Sequence, residues 1–210
     1  MTPEQRVAEV LGEAPAPEGT WEREAAYLSA AARRLGVPAA GLAARVRAVA
    51  GVAAVEERPN GFLRITVEVP GALVETVRPL SLPDPWPDFP RTWDNPGFAV
   101  RYAHARAVAV RRWARDLGVP GEGFRPELLD DPRDRAVLRV LAELPGRLAR
   151  PARGASFWAS YAVRLATAYH DAHELAPAVP VGDEAPSPLH TARVRLARAV
   201  EDVLPGPDRL

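Results

Sequence analysis

Apolar positions along this chain repeat with two different periods, and the changes of period divide it. Over residues 4–12, Val7, Val10 and Leu11 fall on one side of a short helix, which Ala14-Pro15-Ala16-Pro17-Glu18-Gly19 breaks. Thr20 is placed to cap a second helix over residues 21–35, where Trp21, Ala25, Leu28, Ala32 and Leu35 keep helical spacing and face a core. Gly36 can supply the left-handed residue that ends it. A third helix is expected after Pro38, over residues 39–50, with Leu42, Val46 and Val49 as its stripe and Gly51 as its stop. The period then falls to two. Residues 52–57 and 62–69 read as strands around Arg58-Pro59-Asn60-Gly61, since Asn-Gly between β-prone runs favours a hairpin. Leu63, Ile65, Val67 and Val69 share one face of the second strand; Phe62, Arg64, Thr66 and Glu68 share the other.

Periodicity stops over residues 77–95. Pro79, Pro83, Pro85, Pro87 and Pro90 stand among Trp86, Phe89 and Trp93, which reads as an extended linker. Its aromatics are expected to pack across the flanking domains; a peptide-like docking segment is the alternative. Helical periodicity then holds to the end. Helices are expected over residues 97–117, 132–144 (with Pro132 at the first position and a short continuation to Ala152), 157–175 capped by Ser156, and 189–204. Inward positions are Trp158, Tyr161, Leu165, Ala168 and Tyr169 in the third of these, and Leu189, Val194, Leu196, Val200 and Val203 in the last. Four antiparallel helices make a bundle. The expected fold class is therefore α+β: a small α/β-hairpin domain at 1–76, a proline-rich linker at 77–95, and an all-α bundle at 96–210.

Composition narrows the chemistry. The 27 basic and 27 acidic residues cancel, which argues against a strongly basic nucleic-acid binder. Charge is nonetheless uneven: residues 1–75 hold 8 Arg against 10 acids, and residues 96–210 hold 17 Arg against 14. All the basic residues other than His are Arg, a bias that GC-rich coding explains. Without Lys, amine-based covalent catalysis is excluded; without Cys, so are disulfides, thiol catalysis and cysteine-based zinc sites. There is no signal-peptide core and no run of about 18 apolar residues, so a soluble cytoplasmic protein is expected.

Candidate sites are few. His170-Asp171-Ala172-His173-Glu174 sets two His on one helix face, but three apart rather than four and without an evident third ligand; surface His near a helix C-terminus is the ordinary reading. No metal and no cofactor is expected. No Ser sits in a Gly-x-Ser-x-Gly elbow, and no phosphate-binding glycine loop is present. The helix at 97–117 carries Arg101, Arg111, Arg112 and Arg115 with His104, enough to neutralise several phosphates, and Tyr102 and Trp113 can stack on bases if exposed. The ordinary reading is a solvated Arg face paired with acids and aromatics in the core.

One stretch is specific. Asn95-Pro96-Gly97-Phe98-Ala99-Val100-Arg101-Tyr102-Ala103-His104-Ala105-Arg106 resembles the opening of the DALR-type anticodon-binding domain of arginyl-tRNA synthetases, where Gln is usual at Arg101. Downstream, Leu128-Leu129-Asp130-Asp131-Pro132 and the leucine-rich residues to Pro145, Ala168-Tyr169-His170, Thr191 to Val200, and Pro207-Asp208-Arg209-Leu210 resemble later parts of the same domain. Asn60-Gly61-Phe62-Leu63-Arg64-Ile65 resembles the hairpin of the synthetase's N-terminal additional domain, with Arg64 in place of the usual Asn.

The resemblance implies a tRNA-binding protein. Arg101, Tyr102, His104, Arg106, Arg111 and Arg115 would face the anticodon arm, and Asn60, Phe62 and Arg64 the D-loop. The catalytic middle is missing: there is no Gly-His pair, no lysine, and only about 20 linker residues where a nucleotide-binding domain would stand. The chain is therefore expected not to be an enzyme. The alternative is a protein-interaction module that has kept the synthetase scaffold and lost RNA binding.

Overall fold

A computed structural model describes residues 1–87, 89–150 and 154–206. Pro207-Asp208-Arg209-Leu210 and the expected continuation to Ala152 lie outside them. The fold is α+β, a four-stranded antiparallel sheet with short helices followed by a helical region.

Helix α1 (Pro3–Leu11) starts on a reciprocal cap: the Thr2 hydroxyl accepts from the Gln5 amide, and the Gln5 side chain accepts from the Thr2 amide. The next segment departs from its helical reading. Residues 21–35 are not one helix: they hold strand β2 (Ala25–Ser29) and a short helix α2 (Ala31–Leu35), and β1 (Ala16–Glu18) precedes them. β2 is buried on both faces apart from Leu28, so it lacks the alternation that marks a half-exposed strand. Its alanines suit helical spacing equally well. Trp21 is buried as expected, but in a left-handed conformation (φ 67°), with its indole N–H donating to the Ala26 carbonyl at 3.0 Å and its ring edge-on to Tyr27. Thr20 caps nothing, and Leu35 is exposed.

Helix α3 (Ala39–Arg47) covers the sheet with Leu42 and Val46. The hairpin follows its pattern: β3 (Val52–Glu57) and β4 (Leu63–Val67) pair about the turn, with Gly61 left-handed and Leu63, Ile65 and Val67 buried. The sheet order is β1-β2-β4-β3. β4 is thus central, paired along both edges, with β2 on one side and β3 on the other.

A 3₁₀ turn at Pro70–Thr76 carries the sheet onto the helices, against a second such turn at Pro126–Leu128. The contact demands glycine at 71, where a Cβ would stand 2.2 Å from the Pro126 carbonyl oxygen. The helices are α4 (Pro96–Asp116), α5 (Pro132–Leu141), α6 (Leu144–Leu148), α7 (Ala155–Leu175) and α8 (Pro188–Val203). α4 packs on α7 and α8, and α5 packs on α7. Asn95, Asp131 and Ser187 cap α4, α5 and α8. α7 begins after Gly154 with no side-chain cap, so Ser156 does not play that part.

The linker lies on the helices. The Leu80 amide donates to the Asp202 carbonyl at 2.7 Å, Leu82 is buried, and Trp86 packs against Gly97. The contacts of Trp86 and Trp93 are with the helices, Trp86 at Gly97 of α4 and Trp93 on Phe98 and Tyr102 of α4 and His170 of α7, while Phe89 is exposed under Arg91. Buried side chains from Val7 to Leu204 form one contiguous core across sheet and helices.

Candidate nucleic-acid interface

Helix α4 turns Val100, Ala103, Ala107, Val110 and Ala114 into the core. Its remaining side chains divide between a flank facing α7 and a flank facing α8. The six helical residues singled out from the sequence therefore straddle the helix instead of forming one cluster.

The α7 flank is an aromatic ladder. Phe98 and Tyr102 stack at 5.5 Å with planes 9° apart, and Trp93 lies edge-on to both at 5.6 Å. Arg106 sits 4.6 Å over the Tyr102 ring. Its Nη1 donates to Glu174 at 2.9 Å and faces His170 Nδ1 at 3.1 Å. His170 Nε2 lies 2.9 Å from the Ala99 carbonyl, which can only accept. Nε2 therefore carries the proton and Nδ1 accepts from Arg106, the neutral tautomer. Burial, chiefly, and the neighbouring Arg106 charge lower the His170 pKa to match. Both ring nitrogens are spent, and among the described residues no group of His, Asp and Glu is arranged to hold a metal. Tyr102 and Trp113 are partly exposed, not core residues; Phe98 and Arg106 already cover the Tyr102 ring, so Trp113 is the more accessible of the two for stacking.

Arg101 lies on the outer side of α4 and turns back to the linker. Its Nε and Nη2 grip Asp84 at 2.7 and 2.9 Å, Nη2 donates to the Trp86 carbonyl at 3.0 Å, and its side chain is 14 % exposed. Asn95 completes the clamp, donating to the Pro87 and Pro90 carbonyls while its Oδ1 caps α4.

On the α8 flank, a groove of about 370 Å³ runs between the end of α4 and α8. Arg111, Arg115, Arg195 and Arg198 line it above Ala114, Val119 and Val194. Arg111 pairs with Glu201 at 2.8 Å, Arg198 reaches Asp202 at 4.0 Å, and Arg195 donates to the Gly121 carbonyl at 2.7 Å. Arg115 and the neighbouring Arg112 are exposed, with no side-chain partner among the described residues. Four guanidinium groups against two carboxylates leave this groove positive. His104 lies on the same flank, half-buried beside Gly206, with Nδ1 lacking a partner among the described residues; burial first and Arg111 second lower its pKa. Arg195 and Arg198 were not singled out from the sequence. Their spacing of three puts them on one helix face, but only the packing of α8 on α4 brings them to Arg111 and Arg115.

The hairpin end has the opposite character. Asn60 at the tip accepts from the Phe62 amide at 3.2 Å, and Arg33 lies over the Phe62 ring. Arg64 is nearly enclosed: Nε meets Glu18 at 3.1 Å, Nη1 meets Glu56 at 3.5 Å, and Nη2 bonds Glu24. Three carboxylates surround one guanidinium, whose pKa the Glu24 bond raises above all. The local charge is negative, which is unfavourable to phosphate.

No protein-family model matches the chain, and no solved structure matches it. Among curated proteins it is 43 % identical over 116 residues to an arginine–tRNA ligase of Clavibacter sepedonicus, covering 54 % of this chain and 21 % of that one. An arginine–tRNA ligase of Frankia alni is 40 % identical over 118 residues, with the same shares. The chain spans about a fifth of the length of these curated relatives. Between the turn at Pro70–Thr76 and helix α4 there is only the linker, with no room for a catalytic domain. The chain is thus similar over about half its length to arginine–tRNA ligases, and between its sheet and its helices it holds only the linker.

Proposed function

We propose that the protein binds tRNA without aminoacylating it, and that the α4–α8 groove supplies the main phosphate contact. The observation that carries this reading is the groove itself: excess arginine charge, Arg115 in it and Arg112 beside it without acidic partners among the described residues, and partly exposed aromatics on the other flank of the same helix, in a chain similar to arginine–tRNA ligases. The arginines neutralise phosphates and release counterions; Trp113 offers a face to an unpaired base, and Tyr102 does so only if Arg106 swings off its ring. The hairpin contributes little, because Arg64 is already surrounded by Glu.

Filter binding of a tRNA pool at increasing salt tests it. Affinity should fall as salt rises, and Arg112→Gln with Arg115→Gln should flatten the log–log slope by about two charges. Absence of tRNA retention at low salt refutes the reading. No ATP–pyrophosphate exchange is expected.

A second reading, a protein-interaction module, is favoured by one observation: Arg64, Arg101, Arg106 and Arg111 each hold an acidic partner. A pull-down that recovers a stoichiometric protein and no RNA supports it.

A further inference from the structure

The seam between sheet and helices encloses a cavity of about 210 Å³. Its wall is mostly apolar, formed by Leu73, Val77, Leu141 and Leu144 among others. Six polar residues interrupt it: Thr2, Glu4 and Gln5 at the start of α1, Tyr27 from β2, and Thr76 and Arg78 where the turn passes into the linker, with the Arg78 guanidinium turned onto the Glu75 and Val77 carbonyls. Neither Glu4 carboxylate oxygen nor the Tyr27 hydroxyl touches solvent, and none has a hydrogen-bond partner among the described residues. Orphaned groups of this kind are costly: a buried hydroxyl loses its water bonds, and a buried carboxylate loses far more. Among the described residues no arginine pairs with Glu4, although Arg78 lines the same cavity. A water-lined polar pocket would satisfy such groups, but this one is apolar and large enough for a ring.

We propose that this cavity is a binding site for a small primary amine with an apolar body. The body fills the space between Leu73 and Leu144; the ammonium donates to Glu4, and the Tyr27 hydroxyl gains a partner beside it. Apolar walls with a few convergent polar groups are what small-ligand sites have in common. Burial raises the Glu4 pKa, and burial with the Glu4 charge second raises that of Tyr27. The site is separate from the α4–α8 groove and does not rest on the tRNA reading.

The test is calorimetric titration of the full chain with 2-phenylethylamine, 2-phenylethanol and 3-phenylpropionate, near neutral pH. The amine should bind at least tenfold more tightly than the alcohol, and the acid should not bind. Glu4→Gln should remove the preference for the amine over the alcohol. Should Glu4→Gln fail to fold, Ala8→Phe, which puts a ring into the same cavity from α1, should abolish binding of both amine and alcohol. Equal binding of amine and alcohol to the unaltered protein overturns the proposal. So does no amine binding at millimolar concentration, or amine binding that survives Ala8→Phe.

Discussion

Replacing Arg101 with Gln, the residue usual at this place in arginyl-tRNA synthetases, separates two roles for this side chain. In the structure it holds the linker: two bonds to Asp84 and one to the Trp86 carbonyl, with both partners largely shielded. Gln reaches less far and carries no charge. Charge-assisted bonds contribute about 1.5–3 kcal/mol each when shielded, but Asp84 and the carbonyls can rehydrate once the linker lifts, so the net loss is about 2 kcal/mol. It falls on the linker rather than on the core, since the bonds to Asp84 and to the Trp86 and Pro87 carbonyls are all to the linker. About 2 kcal/mol raises the population of the lifted linker by roughly 30-fold. Native-state proteolysis tracks that population when cleavage is slow, so cutting within residues 79–95 should accelerate by the same factor. The salt dependence of tRNA binding should not change, because the guanidinium is already committed. Unchanged proteolysis refutes the clamp. A salt slope lowered by about one charge refutes the view that Arg101 is spent inside the protein.

Three further outcomes follow from particular contacts. Asp134 is 1 % exposed, and burial outweighs the Arg193 contact at 2.9 Å, pushing its carboxyl up from 3.8 to about 6. The folded state therefore keeps this proton longer than the unfolded one, so its contribution to stability is full below about pH 4 and declines by about 3 kcal/mol as pH rises to about 6. Urea midpoints from pH 4 to 7 should show this decline in the native protein relative to Asp134→Asn; parallel curves refute it. Gly71→Ala drives a methyl against the Pro126 carbonyl and should cost about 3 kcal/mol, lowering Tm by about 6–12 °C. Arg64→Gln leaves Glu18, Glu24 and Glu56 facing one another and should cost about 2 kcal/mol, partly regained in 1 M NaCl where their repulsion is screened, with tRNA affinity not reduced.

Much of this architecture was legible because local chemistry and tertiary packing agree. Gly61 supplies the left-handed residue of its turn, Asp131-Pro132 is a cap and a first helical residue, and the extent of α4 follows its periodicity, although its buried side is Val100, Ala103, Ala107, Val110 and Ala114 and not the side of Phe98, Tyr102 and Trp113. Residues 16–35 were misread for the opposite reason. Ala25, Ala26, Ala31 and Ala32 are small enough for either element, and a central strand buried on both faces shows no alternation. The charges were the least legible. Arg64 and Glu18 are 46 residues apart, and Arg106 and Glu174 are 68 apart, so which guanidinium is occupied and which is open depends on topology alone. The same holds for Arg195 and Arg198, which become part of a groove only when α8 lies on α4.

The linker bears on how any partner would be held. Asp84, Leu80 and Asn95 fasten it to α4 and α8, and Gly71 seats the sheet directly on the turn at Pro126–Leu128. A free tether of this length would let sheet and helices engage separately, each adding avidity through an effective concentration set by chain statistics. A fastened one works as a ruler. A partner that matches the built spacing meets both surfaces at no cost in tether entropy, and a partner of the wrong span gains only one of them. Selectivity by shape is thereby available to a protein whose overall charge provides none.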